Sequence, residues 1–368
     1  MTAMLLQTYL RAGNDPATLT TRYGIAVKPH ARYSYLLMFK YDQINSPFAE
    51  PIVRECRGVI LDSSSDWAIV SRPFDKFFNH GDPLAAPIDW STARVQEKLD
   101  GSLISLYWHF GEWQIASSGT PDASGHAGTS AQTFRQLFLE VMARHGYELP
   151  PVRFAHCTFM YELMTRWNRI VVQHPEPRVV LLAVRETESG VEIPVEAFKS
   201  DPMPPVVRSF PLQSFDDMAA TFSTMNPLEQ EGYVVVDAQS NRVKVKHPGY
   251  VALHHMISST GPKAILDIIR KGETTELLTH FPEWTEEFNA IQAKYDALVS
   301  KVDADYEAHK GIESQKEFAI AVNARTELPA AMFYKRKGAG TTKDFLAAWH
   351  VKHLMDKLGL REVPPGEA

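Results

Sequence analysis

With 368 residues, 44% of them hydrophobic and 22% charged, the chain has the composition of a folded globular protein long enough for two domains. A net charge of −6 excludes bulk attraction for a polyanion, so any nucleic-acid partner has to be met by local basic patches. Cys56 and Cys157 are the two cysteines; so far apart they give neither a metal-ligand spacing nor a disulfide framework, and a reducing cytoplasm is the expected setting.

The N-terminus, MTAMLLQTYL, lacks the basic region and long apolar core of a secretion signal. Residues 52–61 and 67–72 read as strands about the polar turn 62–66. Residues 103–108 and 113–117 flank His109-Phe110-Gly111-Glu112, a hairpin signal. The spacing of Phe134, Leu137, Phe138 and Val141 predicts a helix over 130–145, with Ser130 as its cap and Gly146 as its stop. Residues 159–163, 179–185 and 233–237 read as buried strands, the last paired with 242–246. The apolar run 179–184 is far too short to span a bilayer.

After about residue 255 the pattern becomes helical. Ala264, Ile265, Ile268 and Ile269 form a stripe ended by Gly272. Trp284, Phe288, Ile291, Tyr295, Leu298, Val302 and Tyr306 recur at helical spacing and read as core. Ser314 with Glu317 is a capping-box signature, and 342–358 reads as one further helix closed by Gly359. The boundary falls near residue 254: an α+β domain over 1–254, rich in antiparallel strands, and an all-helical domain over 255–368.

Lys98, in Glu97-Lys98-Leu99-Asp100-Gly101-Ser102, is the candidate nucleophile. A free lysine titrates near ~10.4, so a nucleophilic one needs partial burial and neighbouring cations to lower it. Asp100 is placed to orient or accept from the amine, and Gly101 to let the turn bend and a nucleotide approach the backbone. Alone, the tetrapeptide reads as a solvated turn; further segments supply what the amine would need. Arg57, in Glu55-Cys56-Arg57-Gly58, can fork onto a phosphate, or sit in a strand-end ion pair. Residues 71–79 set Lys76 beside Phe77 and Phe78, a lysine for phosphate and a ring for a base, with one ring expected in the core. Glu162 lies in a hydrophobic strand and Glu231 starts another, followed by Gly232; such carboxylates call for ribose hydroxyls, hydrated Mg²⁺ or a salt bridge. Lys244 and Lys246 share one strand face, opposite Val243 and Val245, where they would bind phosphates and depress Lys98. His254-His255 reads as capping or packing and His174 as an exposed loop residue. Lys335-Arg336-Lys337, before Gly338-Ala339-Gly340, is a candidate grip on an RNA backbone or a solvated loop.

In order, the segments ECRG, SRPFDKFFN, KLDGS, NRIV, EGYV and KVK closely resemble the bacteriophage RNA ligase 1 family, the T-even phage tRNA-repair type within the covalent nucleotidyltransferases. The resemblance runs from about Tyr41 to about His255. It implies a nucleotidyltransferase domain of ATP-grasp-like ligase type, with Lys98 as the adenylated residue. Tyr41, Arg57, Lys76, Phe78, Asp100, Gly101, Glu162, Glu231, Gly232, Lys244 and Lys246 would then form the ATP and phosphate site, with Glu162 and Glu231 holding the metal through water. ATP and Mg²⁺, with Mn²⁺ as substitute, are the implied cofactors. RNA, a nicked tRNA in the family's type case, is the implied partner, met by a monomer without membrane or obligate protein partner, in the cytoplasm of the host if phage-encoded. Two departures stand out. Ser118 precedes Gly119 where the family has a lysine, and the acidic metal-binding pair of the helical domain becomes Thr275-Glu276.

The expected function is an ATP-dependent RNA ligase that seals a 5′-phosphate to a 3′-hydroxyl through lysyl-AMP. A DNA ligase or RNA capping nucleotidyltransferase stays open, although those usually carry a β-rich OB domain after the lysine-rich strand. So does a non-catalytic RNA-binding or assembly protein, although a binder has no need of a nucleophile.

Overall fold

The structure, a computed structural model, describes residues 4–128, 130–199, 202–258, 262–271 and 284–360, with positions 274 and 278. Two helices, Leu5–Arg11 and Pro16–Tyr23, precede the first strand. The second begins with Pro16, Asp15 accepting from the Ala17 amide at 2.8 Å, and Gly24 ends it at φ 66. β1 (Ile25–Pro29), β2 (Leu36–Tyr41), β3 (Arg57–Asp62) and β4 (Ala68–Ser71) then form an antiparallel sheet in that order. The strand expected over 52–61 is divided. Pro51–Glu55 is a helical turn and β3 starts only at Arg57, because proline presets the backbone for a helix start and outweighs Ile52 and Val53. Where β2 meets β3 the register slips between Phe39 and Lys40, leaving Gly58 as the extra residue of a bulge at φ 91.

The remaining strands are β5 (Phe78–Asn79), β6 (Arg94–Lys98), β7 (Ser102–His109), β8 (Glu112–Ser117), β9 (Cys157–Met164), β10 (Arg178–Glu186), β11 (Glu192–Ile193), β12 (Ser209–Phe210), β13 (Gly232–Val236) and β14 (Arg242–Lys246). They make two five-stranded sheets, β11-β10-β9-β7-β8 and β12-β6-β13-β14-β5, antiparallel except where β14 meets β5. The β7–β8 hairpin turns on Phe110 and Gly111, both at positive φ. Helix Phe134–Arg144 covers one face of the first of these sheets, burying Leu137, Phe138 and Val141 against Phe159, Tyr161 and Leu163. It begins four residues later than expected, because Thr133 and Gln136 form a reciprocal capping box and Ser130 stays outside. Alternation along β9 leaves Met160, Glu162 and Met164 on the opposite face. Leu36 and Met38 of β2 and Ile60 of β3 pack on Tyr107 and Ala116, joining the N-terminal sheet to this one.

In the other sheet Val235, Val243 and Val245 pack with Met218 of helix Phe215–Thr221, which leaves Lys244 and Lys246 on the free face as expected. A buried ion cluster ties β14 to the β10–β11 edge. Glu192 accepts from Arg242 at 2.6 and 2.5 Å and from Arg185 at 3.2 Å, and the three side chains are 6–11% exposed.

The chain divides into two compact units, Met1–His254 and His255–Ala368, with helix Pro248–Ser258 crossing the division. The second unit contains helices Pro262–Lys271, Thr285–His309, Gln315–Arg325, Pro329–Arg336, Thr342–Ala348 and Val351–Lys357, and no strand among its described residues. Helix Thr285–His309 buries Phe288, Ile291, Tyr295, Leu298 and Val302 of the expected stripe, while its ends, Trp284 at the N-cap and Tyr306, are half-buried. Ser314 caps the next helix through the Glu317 amide. The single helix expected over 342–358 is broken at Trp349 and His350, both extended. Arg270 donates to the carbonyls of Ala347 and Trp349, satisfying the groups that the break exposes. Gly272 lies outside the described residues. The architecture is α+β, and no helix among the described residues is long and apolar enough to cross a membrane.

Glu192→Ala leaves the buried Arg242 without its carboxylate and Arg185 with only the more exposed Asp75 at 3.6 Å. A loss of about 3–5 kcal/mol is expected, read as a lower denaturant midpoint at unchanged slope. A midpoint within error of the parent would place the cluster outside the cooperative core.

Candidate active site

Sheet register builds the centre. Lys98, the last residue of β6, lies opposite Gly232 of β13, which in turn lies opposite Lys246 of β14. Glu231, one residue earlier, therefore falls between two ammonium groups. Its Oε2 accepts from Lys98 Nζ at 2.6 Å and its Oε1 from Lys246 Nζ at 2.8 Å. Gly232 makes this approach feasible: it sits at φ 140, and a Cβ there would lie 2.3 Å from the Val245 carbonyl oxygen.

Lys98 opens onto a cavity of about 440 Å³, within the usual range for a small-molecule site. Its cations are Lys40, Arg57, Lys76, Lys98, Lys244 and Lys246, against Glu97 and Glu162. Leu99, Leu103, Ile170, Leu182 and Val234 supply apolar wall. The Gly58 bulge sets Arg57 opposite Lys40 at the cavity edge. Arg57 Nη1 is buried without a hydrogen-bond partner, an orphaned donor such as an anion would satisfy. Aromatic rings hold the cations in place. Arg57 lies 5.0 Å and Lys244 4.9 Å from the Phe77 ring centroid. Lys76 lies 4.3 Å from Phe48, 5.1 Å from Tyr41 and 5.7 Å from Phe78.

Protonation differs from the sequence expectation. Burial lowers Lys98, but Glu231 and Glu162 outweigh it and hold the amine above the ordinary lysine range. The depression falls on Lys244, pushed down to about 7 by burial, Arg57 and Lys98, and on Lys40, pushed down to about 8 by burial and Arg57. Glu162 is pushed up to about 8, first by burial, with Lys98 opposing and Glu231 adding to the rise.

An RNA ligase family model matches residues 55–250, more than half of the chain. The chain belongs to the RNA ligase family. It is 28% identical over 299 residues to a protein of Autographa californica nuclear polyhedrosis virus whose name pairs polynucleotide kinase with RNA ligase; the match covers 76% of this chain and 42% of that one. It is 26% identical over 360 residues to the RNA ligase of Rhodothermus phage RM378, covering 77% and 81%. The chain thus spans less than half of the first relative and most of the second. Among solved structures it is similar to an archaeal ATP-dependent RNA ligase, 15% identical over 96% of this chain and 89% of that chain, at a TM-score of 0.45.

The family's motif residues do not all face the cavity. Tyr41, Arg57, Lys76, Lys98, Gly101, Glu162, Lys244 and Lys246 line it. Phe78 does not; it is buried at 7% exposure in a T-shaped contact with Phe48, and its neighbour Phe77 lines the wall together with Phe74. Asp100 does not orient the amine. Its Oδ2 accepts from the amides of Val171 and Val172 at 2.8 and 2.7 Å, and its Oδ1 from the Tyr250 hydroxyl at 2.9 Å. With Asn168 donating to Ser102 Oγ at 2.9 Å, this binds the NRIV segment to the KLDGS turn. Gly101 serves a close approach to β9 as well as the cavity, since a Cβ would lie 2.5 Å from the Leu163 carbonyl oxygen. His174 is buried, not exposed, and donates through Nε2 to the Asp100 carbonyl at 2.7 Å. Ser118 lines the cavity, and Lys28 donates to the neighbouring Gly119 carbonyl at 3.0 Å.

In the helical unit the basic run is mostly occupied. Lys335 pairs with Asp303, and Arg336 donates to the Ile312 and Glu313 carbonyls at 2.7 and 2.8 Å. Lys337 is the exposed member of the three. The following glycines stop a helix: Gly338 is at φ 67 and Gly340 at φ 152, packed on Asp344 and Tyr334. Thr275 and Glu276 lie outside the described residues. The His254 ring stacks on Tyr250, a packing role, while the His255 side chain is outside the described set. Lys40 was missed by motif reading; a lone cation in Leu-Leu-Met-Phe-Lys-Tyr, on the core face shared with Met38, was the available signal.

The Lys244 shift carries a stability signature. Below about pH 7 the amine is charged in both states and its burial cost is fully present. Between that value and the unfolded pKa near ~10.4 the folded state has shed its proton and the cost fades. Lys244→Met is expected to be more stable than the parent, on the order of 2 kcal/mol at pH 6, with the gap closing by pH 10. A gap that stays constant across that range would mean an ordinary Lys244.

Proposed function

We propose that the protein is an ATP-dependent RNA ligase working through a Lys98–AMP adduct. The observation that carries the reading is a lysine amine, 20% exposed, at the wall of a cavity whose other cations outnumber its acids. Glu231, in direct contact, is the acceptor at hand for the ammonium proton. Glu162 is protonated below about 8 and is unsuited to that task at neutral pH. The neutral Nζ attacks the α-phosphorus of ATP. The N–P bond forms as the bond to the bridging oxygen breaks, its electron pair leaves on pyrophosphate, and nitrogen loses its remaining surplus proton. An RNA 5′-phosphate oxygen then takes the adenylyl group and Lys98 recovers its electron pair and a proton. Last, an RNA 3′-hydroxyl attacks that phosphate, gives up its proton, and AMP departs. Each displacement spreads charge over phosphate oxygens, which Arg57, Lys76, Lys244 and Lys246 are placed to neutralise.

A divalent ion, Mg²⁺ or Mn²⁺, would add Lewis-acid neutralisation at the phosphates. Among the described residues no three His, Cys, Asp or Glu side chains converge as a metal cage, and both oxygens of Glu231 are taken by lysines. A hydrated ion beside Glu162, whose carboxyl would give up its proton under the ion's charge, together with phosphate oxygens fits that donor set, because Mg²⁺ needs only one or two carboxylates beside a nucleotide.

The region 1–254 serves on this reading as the adenylyltransferase and 255–368 as a helical domain for RNA specificity. The resemblance to the tRNA-repair type favours a broken tRNA as substrate, acted on by a monomer in the cytoplasm. Sealing of a nicked anticodon stem-loop well above sealing of unstructured RNA is the measurement that bears on this preference.

Lys98→Ala and Lys98→Arg are each expected to abolish labelling by α-labelled ATP, since arginine stays protonated at neutral pH. Label persisting in Lys98→Ala, followed on a denaturing gel, would overturn the assignment. In the helical unit Arg336→Ala is expected to cost about 1–3 kcal/mol of stability, because it strips donors from two carbonyls. RNA affinity at a temperature where the variant is folded should hold; weaker binding there with an unchanged melting curve would restore the basic run as an RNA contact.

A further inference from the structure

The motifs leave one cation of the cavity without a task. Lys40 lines the cavity near the end of β2, next to Tyr41 and opposite Arg57, but is itself no motif residue. Two residues earlier Met38 packs into the junction with the neighbouring sheet, and period two sends Lys40 the same way, toward the end of β8 where Ser118 lines the wall. The bulge at Gly58 sets Lys40 against Arg57. Like charges face each other across the strand pair, and such an arrangement is unfavourable until an anion joins them. Around Lys40 the charged groups that press on it are Arg57, Lys76 and Lys28, all cations. The amine also lies 4.8 Å from the Tyr41 ring centroid, which restricts where it can reach.

Placement around the cavity gives the role. Lys98, Lys244 and Lys246 enter the cavity from β6 and β14 of one sheet, whereas Lys40 and Arg57, opposite each other, enter it from β2 and β3 of the N-terminal sheet. Lys40 thus stands on a different wall from the one that carries Lys98. In-line attack by Lys98 on the α-phosphorus requires the leaving pyrophosphate to point away from the amine. We propose that Lys40 binds the β,γ-phosphates of ATP, and therefore acts in adenylation and its reversal but not in the RNA-sealing step. This rests on the ligase reading above.

The test uses the full chain with Lys40→Met and Lys40→Arg. For formation of the Lys98–AMP adduct, Lys40→Met is expected to raise the KM for ATP by about 10-fold or more, the worth of a lost charge-assisted bond. Release of AMP from the adduct by added inorganic pyrophosphate should need more pyrophosphate by a similar factor. Sealing of chemically pre-adenylated RNA, which needs neither ATP nor pyrophosphate, should stay within about 2-fold, well below the loss of one such bond. Lys40→Arg, which keeps the charge, should recover most of the ATP affinity. Equal loss on pre-adenylated RNA would make Lys40 an RNA contact or a structural residue, and unchanged ATP and pyrophosphate dependence would remove it from the site; either overturns the proposal. A parent protein that takes no AMP onto Lys98 overturns the ligase reading itself, and the Lys40 assignment with it.

Discussion

A buried carboxylate shared by two ammonium groups is the interaction on which the centre depends. Glu231 is 2% exposed, and a carboxylate so placed is tolerable only when paired. Three strands must meet in one register for this to happen: β6 to deliver Lys98, β14 to deliver Lys246, and β13 between them with a glycine in the crowded position. A slip of one residue in either pairing would turn a lysine into the hydrophobic face occupied by Val235, Val243 and Val245. The hydrophobic face thus holds the charged one in place.

From that pairing follows an unequal division of charge. Lys98 has carboxylates beside it and stays protonated at rest; Lys244 and Lys40 have mainly cations beside them and lean toward neutrality. A resting site of this kind is set for an anion. Bringing phosphates against Lys244, Lys40 and the orphaned Arg57 guanidinium relieves their mutual repulsion. Asp100, which reads in sequence as the partner of Lys98, instead fixes the turn carrying Lys98 by holding Val171, Val172 and Tyr250.

Much of this was legible in the chain itself. Arg242–Lys246 was recognisable as a strand with both lysines on one face, because alternation with Val243 and Val245 leaves no other arrangement. The hairpin at Phe110-Gly111 and the helical stripe from Phe288 to Val302 were legible for the same reason: each is specified by residues close in sequence. Local competition explains the boundaries that differ. Pro51 turned a β-branched run into a helix start, Thr133 outcompeted Ser130 as a cap, and Arg270 stabilised a break inside residues 342–358. The first two are decided by neighbours a few residues away, the third by a side chain far along the chain.

By itself the sequence determined the residue types of the site, their order, and the strands that carry most of them. It also determined the family, since six short motifs in series constrain far more than any one. Only the tertiary structure decided which acid each lysine meets, that Phe77 and not Phe78 faces the cavity, that Lys335 and Arg336 are bound within their own unit, and that Lys40 lines the cavity with the other cations. The physical reason is that charge, unlike hydrophobic periodicity, is set by what lies across space. A lysine's protonation depends on the carboxylates and cations packed around it from several strands, and strand pairing between residues more than a hundred positions apart is what brings Glu231 to Lys98.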